Sequence, residues 1–187
     1  FTGVGTELGG KDPGYVMDDA DLDAAVATLV DAAMFNSGQC CCGIERIYVH
    51  ESLYDDFVAR ALATVNDYQL GNPLDGDTTM GPMAHVRFAA HVRHQIDEAV
   101  AAGAVAHIAR MAADDDGAYL TPQVLTNVTH AMDVMREESF GPVVGIMKVR
   151  DDDEAVAMMN DSQYGLTASL WTGDLDRAEA VGNRVET

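Results

Sequence analysis

Lysine is almost missing from this chain: Lys11 and Lys148 are its only two among 187 residues. Lysine and arginine together number 11 against 31 aspartates and glutamates, a formal net charge of −20. That balance argues against a phosphate backbone as partner, because nucleic-acid binding rests on basic side chains. So much acid suits either adaptation to high salt or a solvated surface with a compositional bias, and the plainer second reading is preferred. No apolar run reaches the length of a membrane span, and no signal-peptide pattern opens the chain. Cysteine is confined to one place, so no distant thiol exists to build a disulfide framework. Unpaired thiols fit a reducing compartment, and a cytoplasmic location is expected. A Gly-x-Ser-x-Gly elbow, a Walker phosphate loop and a complete Gly-x-Gly-x-x-Gly fingerprint are all missing. The six histidines are scattered. His91 and His94 share a helix face at most, with no third ligand in register, so no metal site is expected.

What is present is an alternation of helix and strand patterns. Hydrophobic residues make up 48% of the chain, enough to bury a core. Thr2 to Leu8 reads as a first or edge strand, ending in the glycine turn Glu7-Leu8-Gly9-Gly10-Lys11. Asp18, Asp19, Asp21 and Asp23 suit the first turn of a helix, whose apolar face is Leu22, Val26, Leu29, Val30 and Ala33. Ile47-Tyr48-Val49 is a strand. Ser52 with Asp55 resembles a capping box for a second helix over Tyr54 to Val65. A third helix carries Ala89, Val92, Ile96, Ala99 and Val100. Ala104 to Ile108 and Tyr119 to Leu125 are further strands, flanking a solvated Asp114-Asp115-Asp116-Gly117 loop. Val143 to Val149 suits a central strand, Asp151 to Met159 a capped helix, and Leu166 to Trp171 another strand. Asp174 begins a last helix. Strands apolar on both faces, alternating with helices, predict an α/β fold: a mostly parallel, doubly wound, three-layer sheet.

The chemistry concentrates in Phe35-Asn36-Ser37-Gly38-Gln39-Cys40-Cys41-Cys42, on a connection from helix to strand, where reactive side chains are usually presented. Neighbouring cysteines do not readily meet disulfide geometry, and zinc sites space their cysteines by two to four residues. Buried small hydrophobes and a catalytic thiolate both remain open on local grounds. Two other stretches stand out. Glu7 heads a glycine turn, either as a functional carboxylate or as an exposed acid. Glu137-Glu138-Ser139-Phe140-Gly141-Pro142-Val143 places two acids and an aromatic at a Gly-Pro break, either a ligand-contacting loop or an ordinary turn.

Taken together, Glu7-Leu8-Gly9-Gly10-Lys11, Gly38-Gln39-Cys40-Cys41-Cys42 and Glu138-Ser139-Phe140-Gly141-Pro142-Val143 resemble the aldehyde dehydrogenase superfamily in order and separation. Asn160 with Tyr164-Gly165-Leu166-Thr167-Ala168 is similar to a fourth motif of that family. The resemblance spans nearly the whole chain. It implies that Cys41, second after the Gly-Gln pair, is the nucleophile and that Glu7 is the general base. It implies that Glu138 holds the ribose on the nicotinamide side of the cofactor and that Phe140 packs near the nicotinamide. It implies NAD or NADP as cofactor, a small aldehyde as substrate and a homo-oligomeric parent enzyme. Residues 1–187 then correspond to the catalytic domain. The long N-terminal region that forms most of the cofactor-binding domain in such enzymes, with its oxyanion-hole asparagine, and the final oligomerisation strand are expected to be absent. The expected activity is oxidation of an aldehyde to a carboxylic acid through a cysteine thiohemiacetal and a thioester. A CoA-acylating relative, or an inactive fragment serving as a binding or assembly module, are the alternatives.

Overall fold

A computed structural model describes residues 2–111, 114 and 117–186. Six strands form one sheet in the order β3-β4-β5-β2-β1-β6. The core strands are β1 (Asp12–Val16), β2 (Ile44–His50), β5 (Val143–Val149) and β4 (Gln123–Thr126), all mutually parallel where they pair, with β6 (Ser169–Trp171) parallel at one edge. Only β3 (Val105–Ala106) runs antiparallel, at the other edge. The helices are α1 (Leu22–Met34), α2 (Tyr54–Asn66), α3 (Val86–Ala101), α4 (Asp133–Arg136), α5 (Asp152–Asn160) and α6 (Leu175–Gly182).

Alternation along the strands sets the layers. Val124, Val144, Ile146, Ile47 and Val49 face α1 and α2 in one core cluster. Leu125 and Val143 join α3 and α4 in a second cluster, while Tyr15, Tyr48 and Val149 join α5 and α6 in a third. Side chains of opposite strand parity therefore enter opposite faces, and the sheet is covered on both. The expected three-layer α/β architecture is the one observed.

Several local expectations need correction. Thr2 to Leu8 is not a strand; the first strand begins after the glycine turn, at Asp12. It was masked in the sequence because Pro13 and Gly14 read as breakers. The fold tolerates both: the ladder to β2 shifts register between Asp12 and Pro13, and Gly14 leaves room for Leu29 where a Cβ would lie 2.7 Å from its Cδ2. Asp21, not Asp18 or Asp19, caps α1, accepting from the Ala24 N–H. Asp18 instead pairs with Arg177, and Asp19 accepts from Thr172. The Ser52 capping box does not form; Ser52 Oγ bonds His50 Nδ1 at 2.8 Å, and Leu53 opens α2 without a side-chain cap. Asp114 is buried rather than solvated, held by Arg93, Arg110 and the Thr121 N–H. Asp115 and Asp116 lie outside the described residues. The Asp151 cap of α5 and the Asp174 cap of α6 are present as expected.

Candidate active site

The cysteine stretch owes its shape to the end of α1. Beyond Met34 the chain turns through a single 3₁₀ turn, Phe35–Gly38, with Asn36 (φ 52°), Ser37 (φ 58°) and Gly38 (φ 70°) all left-handed. Two non-glycine residues in that region cost about 1–2 kcal/mol each. The turn is tied at both ends: Asn36 Nδ2 donates to the Gln39 carbonyl (3.1 Å), and Gln39 Nε2 returns a bond to the Asn36 carbonyl (3.0 Å). Ser37 Oγ donates to Gly81 O at 2.8 Å, and Gln39 Oε1 accepts from the Ala84 N–H at 2.8 Å. Cys40 to Gly43 then closes a tight turn, the Gly43 N–H donating to the Cys40 carbonyl at 3.0 Å. Cys40 is half-buried, while Cys41 and Cys42 are exposed. The bland reading of three buried small hydrophobes therefore fails for this stretch.

The three sequence motifs meet through their glycines. A Cβ on Gly10 would overlap the Cys41 carbonyl, so the Glu7 segment lies directly on the backbone of the cysteine turn. A Cβ on Gly38 would overlap the Gly141 carbonyl, which seats the same turn on the Phe140 loop. The Gly10 N–H donates to Glu138 Oε1 at 2.9 Å. Gly9, at φ 81°, packs where a Cβ would sit 3.1 Å from Tyr164 and 3.2 Å from both Glu138 oxygens. At Gly10 and Gly38 backbone meets backbone, which leaves no room for a Cβ. Glu7 itself is exposed and unpaired among the described residues.

Beneath this junction lies a charged pair that the sequence reading passed over. Lys11 and Glu45 are both buried, at 1% and 5% exposure, and the Lys11 ammonium donates to Glu45 Oε2 at 2.5 Å and to Ser139 Oγ at 3.1 Å. Glu45 also accepts from the Ser139 N–H (2.8 Å) and the Phe140 N–H (2.9 Å). One carboxylate thus satisfies two backbone donors and one cation. It ties down the Phe140 backbone in the left-handed region, at φ 50°, and leaves the residue 39% exposed. Burial pushes the Lys11 ammonium below its usual range, and the Glu45 charge opposes that shift. The available signal was a charged Glu45-Arg46 pair inside an otherwise apolar strand. Arg46 is buried too, donating to the Lys11, Met158 and Met159 carbonyls and so closing the end of α5. The Asn160 to Ala168 stretch joins the junction from above. Thr167 bonds Asp12, and Tyr164 Oη lies 3.5 Å from the Glu138 N–H. No group of three or more potential metal ligands exists among the described residues.

Chemically, the arrangement offers an exposed thiol on a rigid turn, two carboxylates on adjoining segments and an exposed aromatic ring. The Cys41 N–H has no protein acceptor among the described residues. Such a donor beside a nucleophile can serve a developing oxyanion.

The profile of the aldehyde dehydrogenase family matches residues 1–187. The succinate-semialdehyde dehydrogenase [NADP(+)] of Deinococcus radiodurans is 40% identical over 181 residues, which are 97% of this chain but 38% of that protein. The crystal structure of the NADP-dependent glyceraldehyde-3-phosphate dehydrogenase of Bacillus halodurans C-125, complexed with NADP, superposes with a TM-score of 0.90 at 40% identity. It covers 97% of this chain and 37% of that one. Betaine aldehyde dehydrogenase from Staphylococcus aureus, in complex with NAD+, superposes at 0.90 with 36% identity, covering 96% of this chain and 36% of that one. The chain thus spans well under half the length of the relatives it matches.

Proposed function

Because this chain belongs to the aldehyde dehydrogenase family, we propose that it carries the catalytic cysteine and general base of an NAD- or NADP-dependent oxidation of an aldehyde to a carboxylic acid. The observation that supports this most is the junction of three segments: Gly10 against the Cys41 carbonyl, Gly38 against Gly141, and the Gly10 N–H on Glu138.

In this reading Cys41 Sγ, as thiolate, adds to the aldehyde carbonyl and forms a thiohemiacetal. The Cys41 N–H donates to the resulting oxyanion. When bound, NAD or NADP accepts the hydride that leaves this carbon. Collapse of the oxyanion leaves a thioester on Cys41. Glu7 takes a proton from water, and the hydroxide equivalent attacks the thioester, expelling the Cys41 thiolate and releasing the acid. Glu138, with Oε1 on the Gly10 N–H, would hold the cofactor's ribose through its other oxygen. Phe140, whose N–H is held by Glu45, would pack its ring near the nicotinamide. An exposed ring and a carboxylate at one corner fit the end of a dinucleotide that carries a flat ring and a diol.

The relatives named above act on three different aldehydes, so a small aldehyde is proposed as substrate without a single identity. Free exposed thiols support a reducing location such as the cytoplasm, and no helix among the described residues is long and apolar enough to cross a membrane. In the whole polypeptide, Cys41→Ala is expected to abolish aldehyde-dependent reduction of NAD or NADP, whereas Cys40→Ala and Cys42→Ala retain most of it. Full activity in Cys41→Ala overturns the assignment. A requirement for coenzyme A in turnover transfers the protein to the acylating class.

A further inference from the structure

The cysteine turn holds a second chemical feature that the proposed oxidation does not use. Cys40 Sγ and Cys42 Sγ lie 3.5 Å apart, in mutual contact. The turn explains why. With the Gly43 N–H bonded to the Cys40 carbonyl at 3.0 Å, residues 40 and 42 bring their side chains to one side, and Cys41 stands between them outside the contact. The turn is tight: a Cβ at Gly43 would sit 3.1 Å from the Cys40 carbonyl oxygen and 3.7 Å from the Cys40 Cβ, so residue 43 stays small. Adjacent cysteines do not readily bridge, but this next-but-one pair is already in van der Waals contact. A disulfide needs a sulfur separation of about 2.05 Å, and side-chain rotation can supply the remaining approach.

We propose that Cys40 and Cys42 form a reversible disulfide when the protein meets a peroxide, flanking Cys41 without including it. The atoms balance in two steps. The Cys40 thiolate attacks one peroxide oxygen, the O–O bond breaks, and Cys40 becomes a sulfenic acid as hydroxide leaves and takes a proton. Cys42 Sγ then attacks the Cys40 sulfur, the S–O bond breaks, and a second water departs with the Cys42 proton. The two thiols are oxidised by two electrons and the peroxide is reduced to two waters. Contact with Cys40 raises the Cys42 thiol above its usual range, so Cys42 enters the second step still carrying the proton that departs with the water. The bridge caps the turn before either sulfur advances to the irreversible sulfinic acid. This inference is independent of the role given to Cys41.

The test uses the 187-residue chain, hydrogen peroxide, intact-mass spectrometry and alkylation of remaining thiols. Cys41→Ser leaves only two cysteines. On brief peroxide treatment it should lose two hydrogens as a monomer, resist alkylation at both positions, and regain both thiols with dithiothreitol. Cys40→Ser and Cys42→Ser, with circular dichroism matching the parent, should form an intramolecular bridge at least tenfold more slowly. The proposal is overturned if Cys41→Ser gains oxygen instead of losing hydrogen. It is also overturned if Cys42→Ser bridges as fast as the parent, because the adjacent pair would then be the reactive one. Cys41→Ala serves as the same test if the serine variant misfolds.

Discussion

Replacing Glu45 with glutamine removes a charge and leaves the shape. Three donors point at that carboxylate: the Lys11 ammonium and the Ser139 and Phe140 N–H groups. A glutamine offers one acceptor oxygen, and its amide nitrogen faces a donor with another donor. Lys11, at 1% exposure, loses its counter-charge. Breaking a buried ion pair by removing one partner costs about 3–5 kcal/mol, a large part of the roughly 5–15 kcal/mol that holds a domain folded. Lys11 can relieve the strain by giving up its proton, since burial already favours its neutral form. The unfolded chain then binds the proton that the folded chain has released, so the stability of Glu45→Gln rises with pH toward the ordinary lysine value of 10.5. Urea unfolding followed by the fluorescence of Trp171, the single tryptophan, reads the loss at neutral pH and its recovery at alkaline pH. The double variant Lys11→Met/Glu45→Gln removes both charges of the pair and should recover most of the loss. A Glu45→Gln variant within about 1 kcal/mol of the parent, with no rise in stability as pH increases, would refute the reading of Lys11–Glu45 as a desolvated pair.

Other substitutions probe the same junction from different sides. Gly10→Ala places a Cβ on the Cys41 carbonyl, so aldehyde oxidation by the whole polypeptide should fall more than with Cys40→Ala; equal activity would mean that the two segments are not packed together. Phe140→Gly removes a left-handed non-glycine residue and the exposed ring at once. Its melting temperature should stay near that of the parent, while KM for NAD or NADP rises, since the strain relieved and the added flexibility are each about 1 kcal/mol. Burial pushes the Tyr48 hydroxyl up to about 12. A raised tyrosine stabilises the fold below its ordinary value of 10.0, and that contribution disappears as pH rises toward 12. Tyr48→Phe should therefore flatten part of the alkaline decline in stability, measured by denaturation across that range.

The architecture was legible because parallel strands buried on both faces carry long apolar runs, and Val143 to Val149 and Ile47 to Val49 advertise themselves in that way. β1 was not legible, since Pro13 and Gly14 hide it and only the packing of Leu29 and the register shift explain their place. The edge strands β3 and β6 are shorter than their apolar stretches suggest, because pairing on one side alone leaves their ends unsupported. At the site, glycines and cysteines drew attention through composition. Glu45 and Lys11 did not, because a buried ion pair is a matter of three-dimensional partners. A charged pair within an apolar strand signals that partners exist, but not that Glu45 will meet two backbone N–H groups almost a hundred positions later. Asp114 was misjudged for the same reason: its neighbours in sequence are acidic, while its partners in space are arginines.

In the proposed cycle Cys41 becomes acylated and Glu7 deacylates it. Glu7→Gln in the whole polypeptide should slow hydrolysis by about 10²–10⁴ while sparing the first hydride transfer. Rapid mixing with aldehyde and cofactor, followed by acid quench and mass spectrometry of the cysteine peptide, should reveal a burst of reduced cofactor together with one acyl group on Cys41. An acyl group on Cys40 or Cys42, or loss of the burst in step with turnover, would contradict the account.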